Sequence, residues 1–414
     1  MNAPIPQADG AAQPTDRWLN RNVIGMTITS LLSDLGHEMA TAILPAFLAI
    51  LGISPAVLGA IEGIADATSS FVKLGTGWLS DRLGHRKAIT VGGYALTGAS
   101  QAIFALANGW GIVLAGRVVG WFGRGIRGPL RDAMLADSIP PAARGKAFGL
   151  HRAGDTLGAV LGPLLAVALI PILHARLVGD ASRAFRVVFL LTAIPGLASA
   201  LVFALVVRER RRAPNHTLRF WTAIRSMPTR LRRALVGVGI FGLGDFSHTL
   251  IILAGIQLLT PTLGTVKAAS VAGLLYVLHN ITYALAPFPV GALSDRIGRR
   301  ALLTGGYVLG AVVSLTLGLM LARGDGGWIG LAVVFALAGI MLGIEDTLEG
   351  AMVADFAPTE VRGTAYGVLG TVNGIGDLVS SVLVGALWTL HPLWGFGYAT
   401  AMMALGAAMV LRVR

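Results

Sequence analysis

Apolar stretches of about twenty residues recur from one end of the chain to the other, and a chain patterned in this way has few folds open to it. About 20 helical residues cross the roughly 30 Å hydrocarbon core of a bilayer. Runs of that length fall near 23–50, 56–80, 88–107, 111–136, 147–173 and 187–207, and six more near 234–260, 268–294, 301–321, 328–355, 363–390 and 394–411. The expectation is an all-α integral membrane protein of about twelve transmembrane helices. Charge agrees: 13% of the 414 residues are Asp, Glu, Lys or Arg, against roughly 25% in soluble domains. The absence of cysteine excludes disulfides, thiolate metal sites and cysteine nucleophiles.

The spans come as two copies of six. Gly77-Trp78-Leu79-Ser80-Asp81-Arg82-Leu83-Gly84-His85-Arg86-Lys87 returns as Gly291-Ala292-Leu293-Ser294-Asp295-Arg296-Ile297-Gly298-Arg299-Arg300, with Asp295 lying 214 positions after Asp81. Ala133-Met134-Leu135-Ala136-Asp137, then Pro140, Arg144-Gly145 and Phe148-Gly149, returns as Ala351-Met352-Val353-Ala354-Asp355, Pro358, Arg362-Gly363 and Tyr366-Gly367. A repeat at half the chain length is a duplication of a whole domain. The expected division is a tail over 1–22, a six-helix half over 23–207, a basic linker over 208–233 and a second half over 234–411.

The pattern Gly-x-x-x-Asp-Arg-x-Gly-Arg/His-Arg/Lys between two hydrophobic segments resembles motif A of the major facilitator superfamily, and with two copies the resemblance covers essentially the whole chain. It implies a secondary transporter working by alternating access around a midplane site. It also implies that Asp81, Arg82, Asp295 and Arg296 gate the cytoplasmic helix ends. Leu114-x-x-Arg117 resembles motif B, whose arginine is associated with proton transfer, although Gly120-Trp121 stands where glutamine-glycine is expected. Gly158, Gly162 and Pro163 resemble motif C of exporting antiporters, with Ala166 and Val167 replacing its closing glycines.

Basic residues set the orientation. Arg17, Arg21, Arg82, Arg86, Lys87, Arg144, Lys146, the 208–233 block, Arg296, Arg299, Arg300, Arg362, Arg412 and Arg414 fall on one side, against Arg176, Arg183, Arg186, Lys267 and Arg323 on the other. Both termini are therefore expected in the cytoplasm, with the chain in a bacterial inner membrane. This topology accounts for the formal net charge of +12 without a nucleic-acid partner.

Ionisable groups within hydrocarbon are costly and mark candidate sites. Asp34 and His37 in the first span match Asp245 and His248 in the seventh, both members 211 positions apart. A spacing of three puts each pair on one helix face. Converging from the two halves, Asp34, His37, Asp245 and His248 suit a divalent transition metal, a proton relay, or simple pairing with nearby arginines. Arg124, Arg127 and Arg131 form a stripe on the fourth span that suits a carboxylate or phosphate, or pairs with acids such as Asp34, Glu38, Glu62, Asp66 and Asp155. His151 and Asp155 open the fifth span. Glu345 and Glu349 share a face of the tenth without a cation beside them, so the two are not expected to ionise together.

The resulting expectation is a proton-coupled transporter, with export preferred over import. Three substrate readings stand: nickel or iron at the Asp/His pairs, an organic cation or drug at Glu345 and Glu349, and an organic anion or siderophore at the arginines. A transport-inactive sensor or assembly partner is the remaining alternative. No nucleophile-base-orienter set suggests an enzyme, no cofactor is expected, and the partners are protons, a small solute and the lipid bilayer around a monomer.

Overall fold

The computed structural model describes residues 18–83, 86–139, 144–177, 182–209, 227–325, 327–356 and 362–412. Most of the expected tail and linker lies outside these residues. Among them, the first half consists of α1 (Arg21–Ile50), α2 (Pro55–Leu83), α3 (Lys87–Ile103), α4 (Trp110–Asp137), α5 (Arg144–Arg176) and α6 (Ser182–Val206). The second half contains α7 (Thr229–Gly242), α8 (His248–Leu263), α9 (Thr265–Leu285), α10 (Pro287–Ile297), α11 (Arg299–Arg323), α12 (Trp328–Phe356), α13 (Arg362–Leu390) and α14 (Pro392–Arg412).

Twelve spans account for these fourteen helices because two spans are broken. The expected continuous helix over 234–260 is interrupted between α7 and α8, at Leu243–Ser247. Gly242 precedes this break and Gly244 lies within it, and glycine weakens a helix interior by about 1 kcal/mol. The backbone stays satisfied there: Ser380 donates to the Asp245 carbonyl, and the Ser247 amide donates to Ser381 Oγ at 3.0 Å. The expected helix over 268–294 breaks before Pro287, which has no amide hydrogen to continue the ladder.

Eight of the helices are long and apolar enough to cross a membrane, including α5 and α6 with mean hydropathy 2.3. On α6, Leu190, Ile194, Leu201 and Leu205 are each more than half exposed, as a lipid-facing surface requires. The helices α1, α2 and α4 are held below that apolar level by the acids and arginines they turn inward.

Across the two halves, α2 packs on α13 and α5 on α9. One apolar core joins both halves at the end away from the chain termini, where Leu44, Phe47 and Phe185 meet the cluster containing Leu250, Ile252 and Phe335. At the terminus-bearing end the cores are separate, one around Met26, Tyr94 and Phe203, the other around Leu231, Phe241 and Tyr307. The apolar cores of the halves are thus joined at one end and separate at the other, where α2 and α13 still approach at Leu74 and Gly367.

Glycine makes the seal possible. A Cβ on Gly59 would lie 2.0 Å from the Ser381 carbonyl oxygen, and one on Gly385 would lie 2.5 Å from the Pro55 carbonyl oxygen. Gly59→Val should therefore wedge this end open, at about 1–3 kcal/mol for overpacking. The amide of Ala56 reaches Thr389 Oγ1 at 3.3 Å, so cysteines introduced by Ala56→Cys and Thr389→Cys should cross-link readily in the otherwise cysteine-free chain. That cross-linking should fall sharply when Gly59→Val is added; an unchanged yield would contradict the role given to this seam.

Candidate transport site

Much of the charge within the first half is paired. Arg117 meets Glu62 at 2.7 Å, with side chains 3% and 1% exposed. Arg127 and Arg124 approach Asp34 at 3.4 and 3.7 Å, and Arg131 binds Asp132 at 2.9 Å and donates to Ser30 at 3.1 Å. The guanidinium planes are held further by aromatic faces: Arg127 lies 4.4 Å from the ring centroid of Tyr94 and Arg124 lies 4.9 Å from that of Trp121. His151 contacts Asp155 at 3.7 Å and Ser30 at 3.4 Å. The arginine stripe is thus partnered by Asp34, which Arg124 and Arg127 share, and by Asp132, while Arg124 Nη1 and Arg127 Nε make no hydrogen bond among the described residues.

The second half holds its acids differently. Asp245 lies in the unwound segment between α7 and α8, where its carboxyl comes within hydrogen-bond reach of Glu345 on α12. Glu349, one turn further along, accepts from the hydroxyl of Tyr307 and from Asn373 Nδ2 at 2.7 Å. Glu345 and Glu349 are 6% and 2% exposed. No lysine or arginine forms an ion pair with Asp245, Glu345 or Glu349 among the described residues.

The two Asp/His pairs are not gathered into one metal-holding group among the described residues. His37 is buried against Trp121, 5.1 Å between ring centroids, with Nδ1 3.3 Å from Gln101 Nε2. His248 stacks on Tyr276 at 5.3 Å and lies near His279 at 6.2 Å. No group of three or more His, Asp or Glu among the described residues is placed to hold a metal ion. Spacing alone put each pair on one face, but Asp34 turns to the arginines, and the break in the seventh span takes Asp245 out of helical register with His248. Glu38 also connects the halves, accepting from the Tyr276 hydroxyl at 2.7 Å.

A cavity of about 170 Å³ lies between the halves, lined by Asp66, Trp121, Asp245, Phe246, Ser247, His248, Ile251, His279, Ala338, Met341, Leu342 and Asp377. Among the expected site residues, Asp245 and His248 reach it. Sequence reasoning gave Trp121 no site role and left His279, Asp66 and Asp377 without a specific one; the signal available for these three was an ionisable group within a span.

The expected gate falls partly on side chains outside the description, those of Asp81, Arg82 and Asp295, and Arg296 is exposed. Neighbouring arginines of the same repeated loops make the described ties: Arg86 to Asp137 at 2.9 Å, and Arg299 to Asp355 at 2.6 Å. Each ties the loop to the end of the fourth span of its own half. Glu209 caps the start of α3, accepting from the amides of Arg86 and Lys87, where an anion is favoured.

A family model described as Major Facilitator Superfamily matches residues 26–268 and 246–414. An uncharacterized MFS-type transporter of Methanocaldococcus jannaschii is 30% identical over 396 residues, 96% of each chain. Quinolone resistance protein NorA of Staphylococcus aureus is 26% identical over 145 residues, 35% of this chain and 37% of its own. Among solved structures, nucleoside transporter NupG superposes with a TM-score of 0.76 at 12% identity, covering 94% of this chain and 100% of that one. A POT family transporter in complex with 5-aminolevulinic acid gives 0.74 at 13% identity, covering 96% of both. At those identities the solved structures speak for the fold, whereas the family match and the full-length relative speak for descent: this chain belongs to the Major Facilitator Superfamily of membrane transporters.

Proposed function

We propose that the chain is a proton-coupled exporter of a small organic solute, with Asp245, Glu345 and Glu349 as its proton-carrying groups. The observation that carries this reading is the contrast between the halves. In the first half Asp34, Glu62 and Asp132 are neutralised by arginines, which cannot give up a proton at physiological pH. The carboxyl pair Asp245–Glu345 has no such counter-charge, and two carboxyls in mutual contact inside a membrane hold together by sharing a proton. A group that must gain or lose a proton according to its access to water can couple proton movement to alternation of the two halves.

The joined and separate ends of the two cores support an alternating-access cycle. With the basic residues placed in the cytoplasm, the end with separate cores faces inward, so the cavity would load from the cytoplasm and release after the far seam opens. The metal reading is weaker because the four Asp/His ligands are not gathered into one metal-holding group among the described residues. The anion reading is weaker because the arginines already have carboxylate partners. The similarity to a quinolone resistance protein over part of the chain favours an organic solute and outward movement.

Everted membrane vesicles containing the protein test this. On acidification of their lumen they should accumulate at least one member of a panel of small organic solutes that includes a quinolone, and a protonophore should abolish the accumulation. Accumulation that survives the protonophore would contradict proton coupling.

A further inference from the structure

The polar groups of the central cavity are one-sided. Asp66, Asp245 and Asp377 contribute carboxyls, with Lys73 of α2 behind Asp66 and Asp377 as the nearby cation and no lysine or arginine on the wall itself, and the two halves contribute acids jointly, Asp66 from α2 and Asp377 from α13. Its aromatic groups are Trp121 and Phe246 with the imidazoles of His248 and His279.

His279 adds an independent sign of a ligand. Its side chain is 3% exposed, and its tautomer follows from a chain of hydrogen bonds. Asn280 Nδ2 donates to the Ala159 carbonyl at 2.9 Å, which fixes the amide and leaves Asn280 Oδ1 facing His279 Nδ1 at 3.2 Å. An amide oxygen only accepts, so Nδ1 carries the hydrogen and Nε2 is a bare acceptor. Nε2 has no hydrogen-bond partner among the described residues, and its ring lines the cavity. Nε2 is therefore an acceptor open to the cavity, and a ligand bearing N–H groups can donate to it.

Size narrows the ligand further. A volume of about 170 Å³ is close to the ~150 Å³ of a cavity that accepts benzene, so the site takes one ring with a short side chain. Resting on the transporter reading above, we propose that this cavity is the substrate site and that its substrate class is a single-ring aromatic ammonium ion. The ring lies against Trp121 and the imidazoles of His248 and His279, and the ammonium group donates to His279 Nε2 and pairs with Asp66 and Asp377. A cation held by acids of both halves draws them together and leaves Asp245, Glu345 and Glu349 for the proton.

Equilibrium binding to the purified full-length protein, with no gradient present, tests the assignment using 2-phenylethylamine, the neutral 2-phenylethanol and the anionic phenylacetate. The amine should bind about thirtyfold more tightly than the alcohol, the loss typical of removing one partner of a desolvated charge pair, and phenylacetate should not compete. Asp377→Asn should weaken the amine by about thirtyfold and leave the alcohol unchanged. His279→Phe, which keeps an aromatic wall without the acceptor, should weaken the amine by about fivefold. Equal affinity for amine and alcohol, or a preference for phenylacetate, overturns the proposal, and this wild-type series decides the matter even if a variant misfolds. Binding of the amine with transport indifferent to protons would instead refute the coupling, and proton-driven transport of other solutes without amine binding would refute this site alone.

Discussion

Glu62→Gln should be among the most damaging single substitutions in the protein, lowering stability by about 3–5 kcal/mol, because it strands a guanidinium in the membrane interior. Arg117 is 3% exposed and its partner 1% exposed, and the remaining contact to Thr41 Oγ1 is long at 3.4 Å. The loss should appear as a strongly lowered unfolding temperature in detergent. Pairing it with Arg117→Met should restore much of that stability, since removing both charges also removes the desolvation cost. If the double variant is as unstable as the single one, the pair is not the source of the effect. Should the double variant be stable yet transport poorly, the ion pair is retained for function, consistent with the place of Arg117 in the motif B-like segment.

Glu345→Gln should have the largest effect on function. Glutamine preserves size and can still hydrogen-bond Asp245, so the fold should hold within about 1 kcal/mol, the scale of one exchanged hydrogen bond. The variant cannot release a proton, so solute exchange down a gradient should continue while uphill accumulation falls by about tenfold or more, as expected when a positioned proton-transfer group is removed. Arg127→Lys offers a contrast. It keeps the charge beside Asp34 but loses the planar stacking on Tyr94, and it should lower thermal stability without uncoupling exchange from the proton. A variant at Arg127 that uncouples, or one at Glu345 that does not, would reverse the division of labour between the halves.

Much of this architecture could be read directly from residues. Apolar runs of span length, the recurrence of Gly77–Lys87 at Gly291–Arg300, and the Ala-x-x-Ala-Asp repeat are local patterns whose meaning survives folding. The two breaks were less legible. Gly242, Gly244 and Pro287 are visible, but glycine and proline also sit within unbroken helices here, as Pro45 does in α1 and Pro163 in α5. Whether such a residue ends a helix depends on partners such as Ser380 and Ser381, far away in sequence. The Asp/His symmetry misled for the same reason. Equal spacing gives equal helical faces only if both segments are helical, and Asp245 is not in a helix. The central cavity was least legible of all. Trp121, His279, Asp66 and Asp377 come from four separate spans, and only packing brings them to one wall.

Proton movement across the membrane during solute transport is the decisive readout of coupling. Protein reconstituted into liposomes with a pH-sensitive dye inside is given a gradient of a transported solute and no initial pH difference. Solute leaving one side should drive protons the opposite way, and in Glu345→Gln this signal should vanish while solute flux persists. Solute flux in the wild-type protein with no accompanying proton flux would contradict the account.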